Sequence, residues 1–339
     1  MINKRLFTLA VAGLLLVGFA SAGIAQTAPR ASTAKPQPTL LSGLPTSDTV
    51  AVVKLKRVLD EALPKLLADN PAKLAEINSQ IAQFKTRTGV DPRAFTELAL
   101  GMRYTYPSAG ITKISTVALA QGTFNANAIV AAGRVAASGQ YREEKYQGRT
   151  IYVFTLDQQV RILGLLDLKI RELSITPLGA NTLALGDKDS VRGAIDSSKG
   201  TRRGNLELIA LASQDPNAIF GFGGNISPTL LKNLRIGNET IANDLAAVRQ
   251  VYGSIGMGEK NVEMLAAART VNPGSAKNLG DTIEGLRAFG ALFTNRLPAA
   301  KGALARSALG NLKVTIQGND LQIRTNVAQA EVAPLMRGF

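Results

Sequence analysis

A carboxylate- or metal-dependent enzyme built on this chain would need two or three of five aspartates to converge: Asp48, Asp91, Asp187, Asp215 and Asp281. The reason is compositional, since the 339 residues include no histidine and no cysteine. That excludes Ser-His-Asp and Cys-His nucleophilic machinery, thiolate zinc sites, iron–sulfur clusters and disulfides. Carboxylate, lysine, tyrosine or oxygen-ligated metal chemistry is what remains. Yet all five acids stand at strand starts or helix ends, where a carboxylate serves by accepting backbone N–H groups. Asp91 is followed by Pro92, the pairing of an N-cap with a first-turn proline. Asp187-Lys-Asp189 is a fragment of a calcium-loop pattern without its closing glutamate. Glu143 and Glu144 are adjacent on an expected strand, so they point to opposite faces and cannot converge as an acid–base pair. They read instead as a solvated edge flanked by Lys145.

Two glycine-rich runs invite a phosphate-binding reading. Gly221-Phe-Gly223-Gly224-Asn225 follows an expected strand, but has neither the P-loop nor the dinucleotide-binding pattern, and Gly253-Ser-Ile-Gly256-Met-Gly258 has the wrong order. Close backbone packing or strand bulging accounts for both. Asn225-Ile-Ser227 and Asn238-Glu-Thr240 match the glycosylation sequon. The site assignment is therefore empty: no catalytic, cofactor-binding or metal-ligating residue is expected, and no cofactor.

By pattern, the first 25 residues form a secretory signal peptide. Lys4 and Arg5 precede an apolar run over residues 6–20, then small residues allow cleavage after Ala22 or, preferably, Ala25. Residues 26–43, rich in Ala, Thr, Ser and Pro, read as a flexible linker. No later stretch is long and apolar enough to span a membrane.

From residue 44 the pattern is α+β. A buried strand covers 49–55. A helix over 72–88 sets Leu74, Ile77, Ile81 and Phe84 on one core stripe. Strands at 97–106 and 114–124, a helix at 125–137, hairpins at 141–156 and 172–186 and a helix at 187–198 complete a first module, residues 44–200. A basic, glycine-rich break at 199–205 precedes a second module, residues 205–339. There, 226–249 reads as mostly helical, 250–257 and 262–271 as paired strands, and 295–307 as a loop or short helix. Residues 313–327 read as a hairpin and 329–336 as a last helix.

The stretch 262–293 is the clearest unit: a strand, an Asn-Pro stop, then a helix with Ala276, Leu279, Ile283, Leu286 and Phe293 as its core stripe. Residues 115–137 repeat that plan, with Thr123 and Asn125 falling where Thr270 and Asn272 fall. Leu211-x-x-x-Asp215 echoes Leu44-x-x-x-Asp48. The expected fold is thus two related α+β modules, each an antiparallel sheet covered by helices on one face, arising by internal duplication.

Certain motifs also carry a family resemblance. They are Leu44-Pro-Thr-Ser-Asp48, Arg57-Val-Leu-Asp-Glu-Ala-Leu-Pro64, Thr88-Gly-Val-Asp-Pro92, Tyr141-Arg-Glu-Glu-Lys-Tyr146 and Asn181-Thr-Leu-Ala-Leu-Gly186. Through them the mature chain resembles a group of uncharacterised exported bacterial proteins of the acidobacterial type, whose function is unknown. The resemblance implies export and supplies no catalytic residue.

Lysine and arginine exceed aspartate and glutamate by 39 to 25, a net charge of +14, dispersed along the chain. The expectation is an exported periplasmic or secreted envelope protein, non-enzymatic, with a structural or binding role. Its partner would be anionic lipid, polysaccharide or another envelope protein, and no nucleic acid is expected. The alternative is an envelope carrier of lipid or another apolar ligand in a cavity between sheet and helices. A carboxylate- or metal-dependent enzyme comes third.

Overall fold

The computed structural model describes residues 39–332 apart from 109, 163–165, 202–203 and 234–238, with the backbone alone of 156–162, 166–170, 232–233 and 239–240. The expected signal peptide, most of the linker, the Asn238 sequon and the end of the last helix lie outside the described residues.

Strand β1 (Thr49–Val53) buries Val50, Ala51, Val52 and Val53. A strand apolar on both faces belongs inside a sheet. It pairs antiparallel with β2 (Phe95–Ser108) and, on its other edge, with β8 (Ala218–Asn225). The remaining strands of the first half are β3 (Ile111–Gly122), β4 (Tyr141–Tyr146), β5 (Arg149–Ile162), β6 (Leu166–Gly179) and β7 (Thr182–Gly186). The second half adds β9 (Val248–Met257), β10 (Asn261–Thr270), β11 (Lys313–Gln317) and β12 (Asp320–Ala328). All lie in one twelve-stranded sheet, ordered β11-β12-β10-β9-β8-β1-β2-β3-β7-β6-β5-β4.

This corrects the expectation of one sheet per module. The register Val50↔Gly223 and Val52↔Gly221 joins the halves into a continuous antiparallel sheet. The physical reason is edge protection: two strands that each bury both faces leave no exposed edge when they pair with each other.

The main helices are α1 (Pro71–Thr88), α2 (Ala126–Ala137), α3 (Lys188–Ser198), α4 (Leu206–Ala212), α5 (Pro228–Asn233), α6 (Glu239–Ala246), α7 (Pro273–Phe293), α8 (Ala299–Gly310) and α9 (Gln329–Val332). They cover both faces of the sheet, where coverage of one face was expected. On one face Val191, Ala194 and Ile195 of α3 and Leu208 and Ala212 of α4 close over Val50, Val52, Ala99 and Leu119. On the other, Ala126 and Val130 of α2 and Leu55 close over Ala51, Val53, Leu98 and Ala120. The alternation along β1 assigns its residues to the two clusters in turn. A third, smaller cluster joins Val248, Leu279 and Leu321, with Leu245 and Ile283 packed against it.

Further differences from the sequence expectations are local. No residue of α1 is buried, and its stripe of Leu74, Ile77, Ile81 and Phe84 is only half-buried. The mostly helical expectation for 226–249 is met among the described residues by α5 and α6, except that β9 starts early, at Val248. Residues 295–307, expected as a loop or short helix, fall in a 3-10 turn, Thr294–Arg296, followed by the twelve-residue α8. α8 is rich in alanine, which favours helix without marking one face. Strands β5 and β6 both run well past the expected hairpins.

Candidate functional site

The five aspartates lie in separate places, and each is engaged by the fold. The Asp48 carboxylate accepts from the backbone N–H of Tyr104 at 2.7 Å, while its own carbonyl accepts from Asn225 N across the seam between β1 and β8. Asp91 caps a short 3-10 turn, accepting from Arg93 N at 2.9 Å. It also meets Lys85 at 2.8 Å. Asp187 stands at the N-cap position of α3 without capping it; its carboxylate reaches back to Thr116 N on β3 instead, which differs from the expected capping role. Asp215 closes a turn onto Asn217 N at 2.9 Å. Asp281 lies in the interior of α7 and not at the expected strand start or helix end; it pairs with Lys277, one helical turn earlier, at 2.9 Å. Among the described residues no three Asp or Glu side chains gather as a metal site would require.

The glycine runs follow from packing. A β-carbon on Gly221 would drive into the carbonyl oxygen of Ala212, and one on Gly223 would lie 2.7 Å from the Leu208 carbonyl. Helix α4 therefore rests directly on β8, which admits no side chain at these positions. Asn225 of the first sequon is half-buried and accepts from Gln250 Nε2 at 3.1 Å. The hydroxyl of Ser227 is bonded to that of Tyr106 at 2.6 Å.

Glu143 and Glu144 do point to opposite faces, and both are engaged. Glu143 meets Arg134 of α2 at 3.3 Å. Glu144 accepts from Arg192 of α3 and lies 3.4 Å from Lys188. Arg142 grips Glu172 with two donors, at 2.6 and 2.9 Å. The hydrogen bond from Arg192 holds the Glu144 carboxyl below its ordinary value, outweighing a small opposing desolvation. Arg142 does the same for Glu172, and Lys85 for Asp91.

A group whose folded pKa is depressed contributes stability above its unfolded value and loses it as pH falls through the folded value. The urea midpoint is therefore expected to be flat above about pH 5 and to fall as pH drops below about 4. Solvent screening keeps the contribution of each of these exposed pairs small. Glu144→Gln should reduce the slope of the acid limb. An unchanged limb in that variant would show that the pair does not contribute.

Two concavities stand out. The cleft at the seam, about 130 Å³, is lined by Asp48, Tyr104, Tyr106, Asn225, Ile226 and Ser227. It has room for a few waters and falls below the few hundred Å³ typical of small-molecule sites. The other, about 330 Å³, is an open hollow along one flank of α1, lined by Ser79, Ala82, Gln83, Thr86 and Arg87. Neither has the enclosed apolar lining that a lipid carrier needs.

The most conspicuous surface lies elsewhere, at the C-terminal end of α7. The first half of the helix packs as expected, with Ala276 at 0% and Leu279 at 4% exposure. The expected core positions Leu286 and Phe293 are instead 50% and 37% exposed, alongside Phe289 at 60% and Leu292 at 73%. A helix of 21 residues is about 31 Å long, so α7 outruns the β10–β12 surface that buries its first turns. Beyond it, Leu297 is 46% exposed. No described helix is long and apolar enough to cross a membrane.

No family model matches the chain, and no curated protein matches it. Among solved structures it is similar to crystal form III of TP0453, a treponemal protein, at 9% identity, covering 88% of this chain and 98% of that one with a TM-score of 0.43. Crystal form I of TP0453 is similar at 8% identity, covering 91% and 99%, with a TM-score of 0.42. Likeness at this level carries no argument about function.

Proposed function

We propose that this is an exported, non-enzymatic envelope protein that works by binding, built from two related modules sharing one sheet. The observation that carries the binding role is the contrast described above. Four of the candidate acids accept backbone N–H groups of the fold and the fifth, Asp281, forms an exposed ion pair, while a contiguous apolar surface at the end of α7 is left without a structural task among the described residues.

The duplication is supported by element order. Outward from the seam, β1-β2-β3-β7-β6 runs parallel in plan to β8-β9-β10-β12-β11. Asn125 caps α2 through Ala128 N at 3.1 Å, and Asn272 caps α7 through Ser275 N at 2.8 Å. On this reading the β4–β5 hairpin is an addition peculiar to the first module.

The export reading rests on the leader pattern. Expressed with its leader in a Gram-negative host, the chain is expected in the periplasmic or envelope fraction. N-terminal sequencing of the product should begin at Gln26, with Gly23 as the start if cleavage follows Ala22. An intact leader on cytoplasmic protein would overturn the proposal.

A further inference from the structure

We infer that the tip formed by the end of α7, the 3-10 turn and the start of α8 docks on an anionic lipid surface, its apolar side chains entering the interface. The inference rests on the envelope-binding role proposed above and names the partner for the surface that carries that role.

Three observations carry it. The first is concentration. Ten large apolar side chains are exposed among the described residues, and five of them, Leu286, Phe289, Leu292, Phe293 and Leu297, fall within this one segment. Scattered apolar residues are ordinary on a surface, whereas a contiguous patch marks an interaction site.

The second is charge. Residues 285–319 contain Arg287, Arg296, Lys301, Arg306 and Lys313 and no acidic residue at all. Arg287 is spent on Glu284 at 2.7 Å and on the Leu312 carbonyl. Arg296, Lys301, Arg306 and Lys313 are exposed, and no carboxylate of the described residues lies within ion-pair distance of them. The Arg296 guanidinium sits 4.9 Å from the centre of the Phe293 ring. A long cationic side chain over an aromatic body can keep its head among phosphates while the ring sinks below. Arg306 reaches Asn295 of the turn at 3.1 Å, and apolar anchors accompanied by cations over a stretch of sequence free of acids suit an anionic bilayer surface.

The third is preorganisation. Thr294 is buried, with its hydroxyl donating to the Ala291 carbonyl at 2.9 Å. Gly302 of α8 crosses so tightly that a β-carbon there would lie 2.7 Å from the Thr294 carbonyl. Phe289 and Phe293 have ring centres 4.7 Å apart. The helix end is thus held in place by α8, and the apolar residues are presented without a folding step.

The chain contains no tryptophan, so a single Leu292→Trp substitution makes a unique reporter at the most exposed of the large apolar positions of the tip. Vesicles of phosphatidylcholine with one-quarter phosphatidylglycerol should shift its emission to the blue, and brominated lipid should quench it. Val135→Trp, at a site 75% exposed on α2, should respond to neither. In co-sedimentation with the otherwise unaltered chain, binding should weaken with salt and be much weaker on pure phosphatidylcholine. The double variant Phe289→Ser/Leu292→Ser should lose about tenfold or more in partitioning. Arg296→Gln and Lys301→Gln should each lose about fivefold. All five positions are exposed, and circular dichroism should show the fold intact.

Emission from Leu292→Trp that ignores the anionic vesicles would overturn the inference, as would equal binding to neutral vesicles. So would a concentration-dependent dimer that the serine variant abolishes in the absence of any vesicle binding, because the occupant would then be a second copy. A chain that reaches the envelope but ignores vesicles sinks this inference and leaves the export reading standing. A chain retained in the cytoplasm with its leader sinks the reading beneath it.

Discussion

Gly221→Val is expected to lower the stability of the fold by about 3 kcal/mol or more. Position 221 faces α4 from the middle of the sheet, and its missing side chain is what allows the Ala212 carbonyl to approach. A valine cannot be accommodated by rotating a flexible neighbour, because the obstacle is backbone. Either α4 lifts away, exposing Leu208 and Ala212, which are 0% and 3% exposed, or β8 loses its register with β1. Both routes damage the strand pair on which the two halves meet. Urea unfolding followed by circular dichroism gives the comparison. The matched control is Gly285→Ala, where nothing lies within 4 Å of an added β-carbon in the interior of α7. There the substitution should raise stability by about 0.5–1 kcal/mol, since alanine orders more cheaply in a helix. A Gly221→Val protein as stable as the parent would mean that α4 does not rest on β8, and would reopen the question of what the glycine run is for.

That run also shows how much of this protein could be read before its fold was known. Gly221-Phe-Gly223-Gly224 was legible as close packing because it fails the phosphate-binding spacings, and a strand followed by missing side chains implies a neighbour's backbone. Asp91-Pro92 was legible as a cap, and the opposed faces of Glu143 and Glu144 follow from strand geometry alone. These are local properties, carried by residues within a few positions of one another. The β1–β8 pairing was not legible. Its partners are about 170 residues apart in the chain, and nothing in either strand names the other. Exposure of the α7 tip was hidden for a different reason. Periodicity reports that Leu286 and Phe293 continue the spacing of Ala276 and Leu279, but contains no information on where the sheet beneath the helix stops. A signal was nonetheless available in the absence of acids from 285 to 319, which a stretch-by-stretch count of charge would have caught.

Leu321→Ala is expected to cost about 2–5 kcal/mol and to do so unevenly across the molecule. Leu321 is fully buried on β12 and belongs to the smallest of the three apolar clusters, whose other buried members are Val248 and Leu279. It meets α7 where Gly280 allows the helix to come close, with a Leu321 methyl carbon 3.4 Å from the position of an added β-carbon. Removing three carbon atoms there takes away much of what ties α7 to the sheet. The two larger clusters lie on opposite faces of the sheet around the β1–β8 seam and share no member with this one. Hydrogen exchange should therefore accelerate in β10, β12 and the first half of α7, while the amides of β1, β2 and β3 keep more of their protection. Uniform loss across all strands would show that the sheet unfolds as one cooperative unit. The uneven outcome bears on the proposed docking surface, because the tip of α7 is held from below by this cluster and from the side by α8. If the lower support weakens first, Leu321→Ala should loosen the presentation of Phe289 and Leu292, and vesicle binding should fall although every residue of the docking surface is unchanged.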